Sequence, residues 1–153
     1  MKKLAILAAM ALALSANAAQ SIEVHKSKYC GCCEGWISYL KKNGYEVKVV
    51  NAETVGENLD KFKLDHGITD DTASCHTGII DGYVVEGHVP LVVIEELIKN
   101  RPADVVGVSA PGMPVGSPGM EQGDDKDAYD VVVIKKDGSV ESLGTYRGDK
   151  KVN

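Results

Sequence analysis

The sequence predicts an α/β fold, and three observations carry that prediction. Segments with period-two alternation of apolar residues take turns with segments whose apolar residues recur at i, i+3, i+4 and i+7. Their order is strand, helix, strand, helix, hairpin, helix, then a long loop and a terminal hairpin. The 153 residues are 44% hydrophobic and 25% charged, ordinary for one soluble globular domain. That composition excludes collagen-like, low-complexity and polytopic membrane classes. The net charge of -5 argues against a nucleic-acid binder.

Residues 1–19 have the form of a secretory signal peptide. Lys2 and Lys3 begin it, and Leu4 to Leu14 is an unbroken apolar run of 11 residues. That run is too short to span a bilayer as a free helix. Ala16-Asn17-Ala18 then fits the small-x-small cleavage pattern. Residues 20–153 are expected to form one domain in an exported, oxidising compartment, most simply a bacterial periplasm.

Ile22 to His25 alternates weakly and predicts the first strand. Cys33, Trp36, Ile37 and Leu40 then share one helical face, and Asn43-Gly44 is the stop signal. Tyr45, Val47 and Val49 alternate with Glu46 and Lys48, which predicts a half-buried strand. Thr54 and Glu57 have capping-box spacing, and Val55, Leu59 and Phe62 line a second helix that Gly67 ends. Thr77 to Ile80 and Tyr83 to Val85 flank Asp81-Gly82, a strong hairpin signal. Pro90 suits the first turn of a third helix, whose buried face is Leu91, Ile94, Leu97 and Ile98, and Pro102 closes it. Residues 107–123 hold five glycines, three prolines and two methionines, which predicts a long irregular loop. Tyr129 to Ile134 and Val140 to Tyr146, joined at Asp137-Gly138, predict a second hairpin, with the last few residues frayed. The first seven elements follow the order of a thioredoxin-like fold, which places its active site between the first strand and first helix. The prediction is therefore a thioredoxin-like α/β fold with an added C-terminal β-hairpin and a long Gly/Pro/Met loop.

A cysteine cluster lies at that place: Cys30, Cys32 and Cys33, with Cys75 some forty residues on. Four cysteines in an exported chain ordinarily mean disulfides. Adjacent Cys32 and Cys33, however, pair with each other only through a strained eight-membered ring. At a helix N-terminus the orphan N–H groups and the dipole favour thiolates, the form that attacks disulfides or binds metal. Three bare thiolates repel one another, and a bound cation removes the repulsion. Thiolate and thioether ligands favour Cu(I), zinc being next, and several thiolates can bridge several Cu(I) ions. Cys75-His76 starts the predicted hairpin, where redox enzymes of this fold carry a cis-proline. In a strand the His76 side chain opposes that of Cys75, so an irregular backbone is needed for both to face one metal. Met113 and Met120 either cover apolar surface or supply thioethers from a flexible lid. His25 and His66 are expected at the surface, Trp36 in the core or site wall, and Glu86 either behind a histidine or solvated.

The motifs Cys30-Gly31-Cys32-Cys33 with Trp36, Ser74-Cys75-His76-Thr77, Gly82-Tyr83 with Glu86-Gly87-His88-Val89-Pro90, and Pro111-Gly112-Met113-Pro114 with Gly116-Ser117-Pro118-Gly119-Met120-Glu121 resemble those of CopG-type periplasmic copper proteins. That family was first catalogued as a domain of unknown function. The resemblance runs from about Ile22 to Tyr146. It implies a thioredoxin-like fold, a cysteine-bridged multinuclear copper site and a role in copper resistance or homeostasis. On it, Cys30, Cys32, Cys33, Cys75, His76, His88, Met113 and Met120 are the candidate ligands for copper as Cu(I). Copper ions and other periplasmic copper-handling proteins are the expected partners, with no nucleic acid and no membrane after leader removal. Two rivals stand beside this: a thiol–disulfide oxidoreductase using Cys30 and Cys33, and a disulfide-stapled interaction domain without chemistry.

Overall fold

The computed structural model describes residues 19–153. The leader expected over residues 1–19 lies, except for Ala19, outside the described residues. Among them, no helix is long and apolar enough to cross a membrane.

The chain alternates strands and helices: β1 (Ser21–Lys26), α1 (Gly31–Lys42), β2 (Glu46–Asn51), α2 (Ala52–Val55), α3 (Leu59–Asp65), β3 (His76–Ile80), β4 (Tyr83–Gly87), α4 (Leu91–Asn100), β5 (Val105–Ala110), β6 (Ala128–Lys135), β7 (Val140–Arg147) and β8 (Lys150–Lys151). One mixed sheet runs in the order β2-β1-β3-β4-β5-β6-β7-β8. β1 is parallel to β2 and antiparallel to β3. β4 is parallel to β5, so each parallel pair has a crossover helix, α1 or α4, as parallel connections require.

Side chains alternate across the pleat, so neighbouring strand residues enter different layers. Ile80, Val85 and Val105 join Trp36, Ile37 and Leu40 of α1 and Ile94 and Leu97 of α4 in the main core. Their neighbours Ile79, Val84 and Val106 pack with Ile68 and Ile134 in a smaller cluster. α1 is amphipathic as expected, and Glu34 in its first turn and Lys41 and Lys42 in its last suit the helix dipole. At the β3–β4 turn Asp81 (φ 49°) and Gly82 (φ 83°) both adopt positive φ, as a tight hairpin link demands.

Five expectations need correction. The second helix is two: Gly56 takes a left-handed conformation that ends α2, and Asn58, not Thr54, caps α3 by accepting from the Lys61 amide. Residues 107–110, expected in the loop, are the second half of β5. A Cβ at Gly107 would lie 2.0 Å from the Val84 carbonyl oxygen, so this glycine serves close strand packing rather than a bend. The chain end is paired: β8 bonds to β7, and the Thr145 amide donates to the Asn153 carbonyl. His25 is only 7% exposed, stacked on Phe62 and bonded to Glu23 and Glu57. The Gly/Pro loop is pinned rather than a free lid, through the bonds described next.

Candidate metal centre

The site gathers at the end of β1, the start of α1, the start of β3 and the segment after β4. Cys30 is the N-cap of α1 with extended backbone (φ -80°, ψ 95°), and its side chain makes no capping hydrogen bond. Its amide donates to the Ser27 carbonyl, closing the turn that follows β1. Helix geometry then sets Cys33 one turn above Cys30. The two are joined as a disulfide, with Cα atoms 5.4 Å apart. Cys32 and Cys75 are free thiols. The Cys32 Sγ lies 3.5 Å from the Cys30 Sγ and 3.8 Å from the Cys75 Sγ.

Cys75 is where the cluster meets the histidines. Its Sγ is 3.3 Å from His76 Nδ1 and 3.3 Å from His88 Nε2. Regular β3 begins only at His76, so Cys75 precedes the strand and escapes strict alternation; both side chains therefore reach the same place. Glycine turns the other arm: Gly87, at φ 75°, ends β4 and releases His88 toward Cys75. His88 Nδ1 donates to the Pro118 carbonyl at 2.8 Å. A carbonyl only accepts, so the proton sits on Nδ1 and the Nε2 lone pair is left facing the thiol, the arrangement typical of a metal-ligating histidine.

Electrostatics favour neutral imidazoles. Burial holds the His76 pKa well below the ordinary histidine value, with His88 and Lys63 adding to the effect. Burial also lowers His88. Burial first, and the Cys32 charge second, push the Cys75 thiol up to about 12. A metal taken there displaces a proton. The fit to a soft cation rests on the donors themselves: the ligand atoms of Cys30, Cys32, Cys33 and Cys75 lie within 4.8 Å of one another, as do those of Cys75, His76 and His88. Besides, His76 Nε2 is buried with no hydrogen-bond partner among the described residues, and the ring packs against Trp36 and His88.

The six expected Cys and His residues thus converge. The methionines sit on the neighbouring loop: Met113 is 58% exposed and Met120 is half-buried. That loop is anchored by Ser74 Oγ donating to the Gly112 carbonyl, by the His88–Pro118 bond, and by Gly119 packing on α1. A Cβ at Gly35 would fall 2.4 Å from the Gly119 oxygen.

Two lysines and a glutamate around the site carry roles that sequence reasoning missed. Lys26, 2% exposed, donates to the Ser27 carbonyl and pairs with Glu34 at 2.7 Å, bracing the cysteine turn. Its signal was available: Ile22, Val24 and Lys26 fall on one face of β1. Glu86 makes no hydrogen bond to a histidine among the described residues. It accepts from the Ser74 amide, Thr77 and Lys63. Nothing in the local pattern marks Lys63.

Comparison with known proteins bears on this site. A family profile described as "Protein of unknown function, DUF411" matches residues 72–120, the segment holding Cys75, His76, His88 and both methionines. Among solved structures, one titled copper resistance protein CopG, form 2, is 45% identical, with a TM-score of 0.75; the match covers 84% of this chain and 99% of that one. Form 1 under the same title is 44% identical, with a TM-score of 0.76, covering 86% of this chain and 100% of that one. No curated protein matches.

Proposed function

The chain belongs to the CopG copper-resistance family, and from that premise we propose that it is a periplasmic protein that takes Cu(I) as its cargo. The observation that carries this reading is the pair of converging donor sets that share Cys75. Thiolates of Cys30, Cys32, Cys33 and Cys75 hold copper in the reduced chain, and Cys75 bridges to a second position served by His76 and His88. Such sharing favours a multinuclear, cysteine-bridged cluster over a single ion. Sulfur-rich donors favour Cu(I) over harder cations, and thioethers of Met113 and Met120 cap the exposed side. The order β2-β1-β3-β4, with β3 antiparallel to β1, supports a thioredoxin-like core under this site. Residues 1–19 serve as the export leader.

Two of the four thiols are joined as the Cys30–Cys33 disulfide, so loading requires its reduction. The reverse step balances with copper: forming that disulfide from the dithiol releases two electrons and two protons, and the electrons reduce two Cu(II) to Cu(I). The test is anaerobic titration of the reduced, metal-free chain with Cu(I), counting copper per chain and recording X-ray absorption at the copper edge. Several ions with Cu–S scattering are expected, and Cys32→Ser lowers the count. Loss of all copper to a moderate chelator overturns the reading.

The disulfide itself favours one second reading, a thiol–disulfide oxidoreductase using Cys30 and Cys33. That activity needs no metal, and Cys32→Ser and Cys75→Ser leave it intact. Turnover of a model disulfide by the metal-free chain decides between the two. Ser74-Cys75 in place of a proline before β3 counts against it.

A further inference from the structure

Glu86 lies in β4 with its side chain entirely buried, and its carboxylate is fully used. Oε1 accepts from the Ser74 amide at 2.7 Å and from Lys63 Nζ. Oε2 accepts from Thr77 Oγ1 at 2.6 Å. Lys63 Nζ, from α3, also donates to Thr77 Oγ1 at 2.9 Å. One carboxylate therefore ties α3, β3 and the residue before Cys75 to β4.

Stability alone explains such a group poorly. Replacing a buried ion pair by apolar side chains of similar volume is often neutral or stabilising. What the pair does here is geometric. Ser74 precedes β3 and has no ladder partner, so its amide would otherwise be an unpaired loop donor. Glu86 captures that amide, and Ser74 Oγ is captured by Gly112 at 2.5 Å on the other side. The backbone that carries Cys75 is thereby fixed at both ends of Ser74. Glu86 also stands two residues before His88, and a Cβ at the intervening Gly87 would lie 2.4 Å from Ser74 Oγ. The two donor-bearing segments are packed on each other at this point.

We propose that Lys63, Glu86 and Thr77 form a positioning unit that fixes Cys75 and His88 relative to one another. It acts through Ser74, and it touches no donor atom. The unit defines the histidine half of the copper site, so its role in binding rests on the copper reading above, whereas its role in geometry does not. Glu86→Gln leaves Lys63 unneutralised and weakens the hold on Ser74. Lys63→Met with Glu86→Gln removes both charges and keeps the volume.

The experiment has a copper-free arm and a copper arm. In the reduced, metal-free chain, hydrogen exchange at the Ser74 amide and alkylation of Cys75 by iodoacetamide are followed by mass spectrometry, with Cys32 as internal control. In Glu86→Gln, Ser74 exchange and the Cys75-to-Cys32 alkylation ratio each rise about tenfold, the opening expected from one lost charged hydrogen bond. In the copper arm, Glu86→Gln binds fewer Cu(I) ions and raises the reduction potential of those retained, because a negative charge near them is gone. The double variant returns the potential toward the wild-type value while Ser74 exchange stays fast. Unchanged Ser74 exchange and an unchanged alkylation ratio in a folded Glu86→Gln chain overturn the proposal. So does an equal rise at Cys32 and Cys75, which marks general loosening. Should Glu86→Gln fail to fold, Thr77→Val, which removes one donor at constant shape, is read in the same way with the same deciding outcomes. If the wild-type chain binds no copper, the copper reading fails and the copper-free arm still decides the positioning role.

Discussion

Cys75 is common to the two candidate donor sets, so on the copper reading its protonation sets the pH dependence of uptake. Its pKa is pushed up to about 12 by burial and by Cys32, so at neutral pH it is a thiol and binding must release its proton. His76 and His88 are lowered, chiefly by burial, so they are already neutral above the ordinary histidine range and add nothing to the slope there. Cys75 therefore contributes about one logarithmic unit of apparent Cu(I) affinity per pH unit between pH 7 and 8, beside whatever protons the other thiols release on binding. Competition with a Cu(I) chelator measures this, and Cys75→Ser should cut the logarithmic slope by about one. The cysteine cluster and Cys75-His76 were legible as candidates from their spacing and place in the chain, and His88 from the family resemblance. The partners behind them were not. Glu86 meets Lys63 and Ser74, and His88 meets Pro118, across separations that only the folded chain closes. His25 misled for the same reason: no local pattern tells that Phe62 and Glu57 cover it.

At the scale of elements, the crossing of the loop over α1 decides how tightly the site is framed. Gly35 and Gly119 meet backbone to backbone, and a Cβ at Gly35 would fall 2.4 Å from the Gly119 oxygen. Backbone cannot swing aside as a long side chain does, so Gly35→Ala should cost about 2 kcal/mol or more in urea unfolding. The turn into Cys30 has its own tie: Glu53 of α2 accepts from Ser27 Oγ at 2.5 Å and from the Lys28 amide at 2.9 Å. Those bonds lower the Glu53 pKa to about 2. A depressed carboxylate stabilises above its unfolded value and loses that contribution as pH falls through the folded one. Amide protection over residues 27–30, the ratio of intrinsic to observed exchange rate, should accordingly fall between about pH 4.5 and pH 2, and Glu53→Gln should remove that step. Helix faces and the two Asp-Gly hairpins were readable from periodicity and turn chemistry. β5 was not, because Gly107 was counted with the loop glycines, although its role is to let β4 approach.

The whole molecule binds distant stretches of chain into one centre: residues 30–33, 75–76 and 88 meet only when the sheet is formed. A ligand held by all three binds the folded state alone and stabilises it by mass action. At free Cu(I) about a thousandfold above the dissociation constant the gain is about 4 kcal/mol, read as a rise in Tm of the reduced chain on adding copper; no rise would mean the segments are not joined through metal. The first four strands were foreseeable in kind and order, and the joining of β5 to β8 into the same sheet was not, since strand partners at that range leave no mark in sequence. The Cys30–Cys33 disulfide gives this arrangement a further property. While it is closed, the donors outside it are two thiols and two imidazoles; once it opens, sulfur outnumbers nitrogen two to one. The chain thus offers sulfur and nitrogen in equal number, a set for borderline ions, when oxidised and a sulfur-rich set for soft ions when reduced. On the copper reading, its choice of metal would then follow the supply of electrons around it as well as the order of its residues.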